Sequence, residues 1–91
     1  MIYDEEIAPH RAEINRLNGE IMEKLEARVS VSKKIAAVKR RYEKPVVDKA
    51  REQVVLDQVR TRARERGLNP EGVERVFRAI IDLCVEAEEQ A

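Results

Sequence analysis

Ile7, Ile14, Ile21, Arg28 and Ile35 recur at every seventh position, and Leu17, Leu25, Val31 and Val38 fill the flanking places of the same stripe. A seven-residue hydrophobic repeat is helical and coiled-coil-like, so the pattern predicts one long helix over about residues 8–42. Pro9 reads as its first helical position, where the missing N–H costs nothing, and Pro45 closes it. Gly19 is a local weak point, costing about 1 kcal/mol against Ala. A second helix is predicted over 48–66, with Asp48 as N-cap and Gly67 in the left-handed position just past its end. Its apolar positions include Val55, Leu56, Val59 and Ala63. A third, over 70–90, opens on Asn69-Pro70, with Leu68 and Val73 spaced as a hydrophobic staple. Val73, Phe77, Ile80, Cys84 and Ala87 then form one stripe. The chain therefore reads as one all-α domain, residues 1–91, with one long and two shorter helices.

The long helix is the anomaly. Thirty-four residues from Pro9 to Tyr42 span roughly 50 Å at 1.5 Å per residue, whereas a compact chain of this size is roughly 30 Å across. The apolar stripe continues along the overshoot, and the simplest cover is a second copy of the chain, in an intertwined homodimer.

Composition narrows the function. Lys plus Arg equals Asp plus Glu, at 18 each, and aromatics are 3% of the chain. Zero net charge and few stacking platforms argue against a nucleic-acid or membrane-surface partner. One cysteine, Cys84, fits a reducing compartment. The acidic N-terminal stretch has no signal-peptide character, and no apolar run approaches the length of a membrane span. A cytoplasmic protein is expected. There is no His/Cys/carboxylate set at metal-ligand spacing, no Gly-rich phosphate loop and no nucleophile–His constellation. His10 is assigned no role.

The stripe is not purely apolar. Arg28 holds a heptad position otherwise taken by Ile, with Arg11 and Lys39 beside the same seam. A buried charge requires a partner or a ligand. One reading is interhelical salt bridges, easily supplied by 18 acidic residues. The other is a small anion held between Arg28 and Lys39, three turns apart on one face and roughly 16 Å apart along the axis. Arg11, roughly 25 Å from Arg28 on the same rod, reaches such a pocket only from a second chain. Asp48, Arg51 and Glu52 share one edge of the second helix, and alone they read as a cap plus a local ion pair. Cys84 and Glu88 stand at i, i+4 on the third; separately they read as a small core residue and a solvated, frayed end.

Taken together, Arg11, Arg28 in EARVSVSKKIAAVK, Lys39, and PVVDKAREQVVL with Asp48, Arg51 and Glu52 resemble the all-helical chorismate mutase family. The likeness extends through GLNPEGVERVFRAII to the last helix and covers essentially the whole chain. It implies a three-helix subunit, an intertwined dimer with two equivalent sites, and the Claisen rearrangement of chorismate to prephenate in phenylalanine and tyrosine biosynthesis. Such a rearrangement requires no cofactor, metal or nucleophile. It requires a dianion held in its reactive shape and donors aimed at the ether oxygen as charge develops there.

The resemblance further implies that Arg28, and Arg11 of the partner, bind the substrate carboxylates. Lys39 contacts the breaking ether oxygen and a carboxylate. Glu52 and the Asp48 region hold the ring hydroxyl, and Arg51 orients Glu52. Position 84 lies beside a carboxylate and position 88 faces the ether oxygen. Two positions depart from the usual pattern: Cys84 replaces Ser or another small polar residue, and Glu88 replaces Gln. A Gln amide donates at any pH, but Glu donates only when protonated, so better activity in acid is expected. The competing readings are a non-catalytic dimeric helical interaction module and an RNA-binding domain using RTRARER in the second helix.

Overall fold

A computed structural model describes residues 2–91 and consists of three helices: α1 over Ile2–Arg41, α2 over Lys49–Glu65 and α3 over Pro70–Gln90. The caps of α2 and α3 form as their sequences dictate. Asp48 accepts a hydrogen bond from the Arg51 backbone N–H at 3.0 Å, and Asn69 accepts from the N–H groups of Glu71 and Gly72 at 3.1 and 3.5 Å. Each thereby satisfies donors that the first helical turn leaves orphaned.

α2 ends in a paired-bond cap. The Leu68 N–H donates to the Ala63 carbonyl and that of Gly67 to the Arg64 carbonyl, with Gly67 at φ 71°. This is the Schellman arrangement, which places a left-handed residue just past the helix end. α1 ends in the same way: the Lys44 N–H bonds the Lys39 carbonyl and that of Glu43 bonds the Arg40 carbonyl. Here the left-handed residue is Glu43, at φ 54°, where a Cβ is disfavoured.

The start of α1 departs from expectation. The helix begins at Ile2, and Pro9 lies inside it rather than at its first position. Pro9 cannot donate to the carbonyl of Glu5, so one rung of the ladder is missing. The turn continues because the lost bond faces solvent on an exposed stretch, and because Asp4 and Glu5 in the first turn complement the helix dipole. With 40 residues α1 is about 60 Å long.

α3 packs on both α1 and α2, and α1 and α2 do not pack on each other. The arrangement measures 61 × 27 × 15 Å, with a radius of gyration of 17.2 Å against about 12 Å for a compact chain of this length. It is a single layer of helices. Small residues set the α1–α3 approach: Ser32 and Ala36 are buried on α1, facing a helix whose buried positions are Ile81, Cys84 and Glu88. Leu56 and Ala63 are buried on α2. Burial of a large apolar side chain such as Leu56 or Ile81 contributes roughly 1.5–3 kcal/mol, and few large side chains here are buried.

The heptad stripe faces away from this small core. Ile14 is 56% exposed and Ile21 57%, and Val31, Ile35 and Val38 are also exposed. Residues 8–24 are exposed without exception. On α3 the most buried stripe passes through Ile81 rather than Ile80, rotated by one position so that Glu88, and not a frayed end, completes it.

Candidate active site

Where the three helices approach, they enclose a cleft of about 430 Å³, within the usual range for small-molecule sites. α1 contributes Arg28, Val31, Ser32, Ile35 and Lys39, a single face repeating at three and four residues. Val46 of the connecting loop, Asp48, and then Arg51, Glu52 and Val55 of α2 form the second wall. Ile81, Cys84, Val85 and Glu88 of α3 form the third. Seven of the eight residues singled out in the sequence thus line one cleft. The eighth, Arg11, is exposed on the overhanging part of α1 and does not line it.

Lys39 is held from several sides. Its Nζ donates to the Val46 carbonyl at 2.5 Å and lies 3.5 Å from Glu88 Oε2. Its own carbonyl accepts the bond that closes α1. The cap of α1 and the aim of the Lys39 ammonium are therefore set by the same turn.

Glu88 is 7% exposed, and its Oε2 is buried without a hydrogen-bond partner among the described residues. The Lys39 ammonium is close enough for Coulomb attraction but not placed to donate. An unsatisfied buried oxygen is costly, and this one lies in a cleft large enough for a ligand.

Arg28 donates from Nη1 to Cys84 Sγ at 2.9 Å. Among the described residues its guanidinium has no carboxylate partner, which separates it from a structural salt bridge. Thiol sulfur is a weak acceptor, so the Arg28 fork remains available to a stronger anion. Cys84 itself is 3% exposed.

Glu52 is buried on the α2 wall, but Arg51 does not orient it. Arg78 of α3 does, donating from Nη1 to Glu52 Oε1 at 2.9 Å, with Lys49 Nζ at 3.7 Å from the same oxygen. Arg78 and Glu52 are 26 positions apart in the chain, so helix spacing gave no signal for the pair. That neighbouring carboxylate raises the Arg78 pKa further above its ordinary value. The Arg51 side chain instead lines the cleft. Ser32, also unremarked in the sequence, is buried in the cleft wall.

The charged lining is balanced, with Arg28, Lys39 and Arg51 against Asp48, Glu52 and Glu88. The cations are spread across α1 and α2, a geometry suited to a ligand with separated negative groups. Val31 and Ile35 belong both to the cleft and to the exposed stripe of α1, so anything seated on that stripe also borders the cleft. No group of three or more His, Cys, Asp or Glu among the described residues is arranged to hold a metal ion, and no described helix is long and apolar enough to cross a membrane. The Arg-rich stretch of α2 is partly engaged: Arg60 bonds Glu74 at 2.8 Å and Glu71 at 3.3 Å.

The family model described as chorismate mutase type II matches residues 10–89, nearly the whole chain. No curated protein matches it significantly.

Proposed function

The chain belongs to the chorismate mutase type II family, and from that premise we propose that a homodimer of it isomerises chorismate to prephenate in two equivalent clefts. The observation that carries the proposal is the convergence of Arg28, Lys39, Arg51, Glu52 and Glu88, far apart in sequence, on one cleft within the matched region.

The reaction breaks the ether C–O bond and forms a C–C bond within one molecule, with no net transfer of electrons or protons. Catalysis is therefore restraint of the substrate and stabilisation of charge. Arg28 takes one substrate carboxylate through its fork, and Arg11 of the second copy takes the other. Lys39 donates to the ether oxygen, where negative charge develops, and Glu88 in its protonated form donates from its place beside Lys39. Glu52 and Asp48 accept from the ring hydroxyl. Arg51 adds positive charge at the cleft edge.

Dimerisation has two supports: the exposed Ile14–Ile21 stripe, and a lining that with Glu88 protonated is only one charge positive, to which Arg11 would add the second charge that a dianion needs. The test is loss of chorismate absorbance with purified protein, compared with Arg28→Ala and Lys39→Ala. Turnover by the wild type and its loss in folded variants is the expected result. A folded dimer without turnover overturns the proposal and leaves an interaction module as the better reading.

A further inference from the structure

Two sets of ion pairs tie α2 to α3. One is Arg60 with Glu71 and Glu74, none of which lines the cleft. The other is Arg78 with Glu52, and only this one ends on a cleft residue. Arg78 itself does not line the cleft. Its side chain is 41% exposed, whereas that of Glu52 is 11% exposed. The pair is thus an anion facing inward, held from behind by a cation facing solvent. Arg78 and Lys49 both approach Oε1 of Glu52. Oε2 has no partner among the described residues and is free to accept from a ligand.

We propose that Arg78 is a positioning residue: from outside the cleft it fixes the Glu52 carboxylate in one rotamer, turns its second oxygen to the ligand, and offsets its charge. The inference rests on the function proposed above and adds a residue to it. Its physical reason is the charge balance. Three carboxyl groups and three cations line the cleft, so with Glu88 protonated the lining is only one charge positive, and the substrate is itself a dianion. Glu52 is useful as a hydroxyl acceptor only if its negative charge does not repel that dianion. A guanidinium behind it supplies the compensation without occupying the space the substrate needs. Lys49, at 3.7 Å and largely exposed, is a weaker second cation on the same oxygen. Asp82, one turn further along α3 and 3.9 Å from Arg78, helps aim the guanidinium.

The test compares Arg78→Gln, Arg78→Lys and Arg60→Gln with the wild-type dimer. Glu52 contacts the substrate equally before and during rearrangement, so loss of its support raises KM with little change in kcat. Arg78→Gln is expected to raise KM about tenfold, as a charge-assisted bond is lost, and Arg78→Lys to recover part of that. Arg60→Gln breaks the other α2–α3 ion pairs and is expected to lower Tm while leaving KM unchanged. In a Glu52→Gln background, Arg78→Gln is expected to add little. Equal KM shifts for Arg60→Gln and Arg78→Gln would reduce Arg78 to a structural tie, and an unchanged KM in Arg78→Gln would overturn the inference outright. A crystal structure of Arg78→Gln tests the point independently of turnover. A Glu52 carboxylate in its original place sinks the inference even if the wild type is inactive, whereas wild-type turnover alone tests the function.

Discussion

At the scale of single residues, the proposed site uses two side chains, Glu88 and Arg78, that local reasoning would dismiss. Glu88, near the end of the last helix, would pass for a solvated carboxylate, yet it is buried beside Lys39 with an unpartnered oxygen. If it is the donor to the ether oxygen, as proposed, it works only when protonated. Lys39 lies 3.5 Å from it, and the other charged groups lining the same cleft are Arg28, Asp48, Arg51 and Glu52. The rate is expected to rise as pH falls, and Glu88→Gln to flatten that profile, measured as kcat/KM from acid to neutral pH. Parallel profiles for the two proteins would remove Glu88 from the donor role. Lys39→Ala is expected to lower kcat by about 10²–10³, the usual effect of removing a donor to developing charge, with helix content by circular dichroism retained. Arg28, Lys39 and Glu52 were legible because a family pattern fixes them by order and spacing. Arg78 was not, because its partner lies on another helix, and two exposed-looking charges carry no sequence signal of meeting.

Among the helices, the punctuation that sequence reading handles well is short-range and polar. Asp48, Asn69, Pro70 and Gly67 each perform the capping role their type and position imply. Pro9 misled because the same residue type suits a helix start and is also tolerated one or two turns in, where the missing bond faces water. Glu43 gave no warning, since nothing in its chemistry announces a left-handed backbone. The paired caps make opposite predictions. Glu43→Gly is expected to stabilise the protein by about 0.5–1 kcal/mol by relieving the Cβ clash, and Gly67→Ala to destabilise it by about 1 kcal/mol, both measured by urea denaturation. Acid acts on the same elements. At the start of α3, Glu71 has its pKa lowered from 4.5, first by a backbone N–H and then by Arg60. Its contribution to stability is therefore present above the ordinary carboxylate value and is lost as pH falls through the depressed one. Thermal midpoints of Glu71→Gln and wild type are expected to converge at low pH.

For the molecule as a whole, the decisive feature is that Arg11 and Arg28 stand on the same rod, roughly 25 Å apart, with only Arg28 at the cleft. If Arg11 serves the partner's cleft, two inactive variants repair each other. Arg11→Ala mixed with Arg28→Ala and allowed to exchange subunits gives heterodimers in which one of the two sites is intact. About a quarter of all sites in an equal mixture are then complete, by random pairing within a twofold dimer. Activity near that fraction is expected on mixing, and none if Arg11 acts within its own chain. The overshoot of the first helix was legible from the length of the stripe alone. The rotation that turns the stripe away from α3 was not, because a heptad repeat marks a face without saying which neighbour covers it.

A layer one helix thick, with residues 8–24 of its longest member wholly exposed, also determines how the protein responds to scarcity. If a second copy covers that stripe, as proposed, the chain completes its interior only on meeting another, and folding is coupled to encounter by mass action. Its melting temperature is expected to climb with protein concentration, its refolding rate to depend on collision between chains, and its specific activity to fall on dilution. A cell making little of this chain would lose the activity disproportionately, because halving the supply of subunits removes more than half of the assembled sites once the concentration nears the dissociation constant.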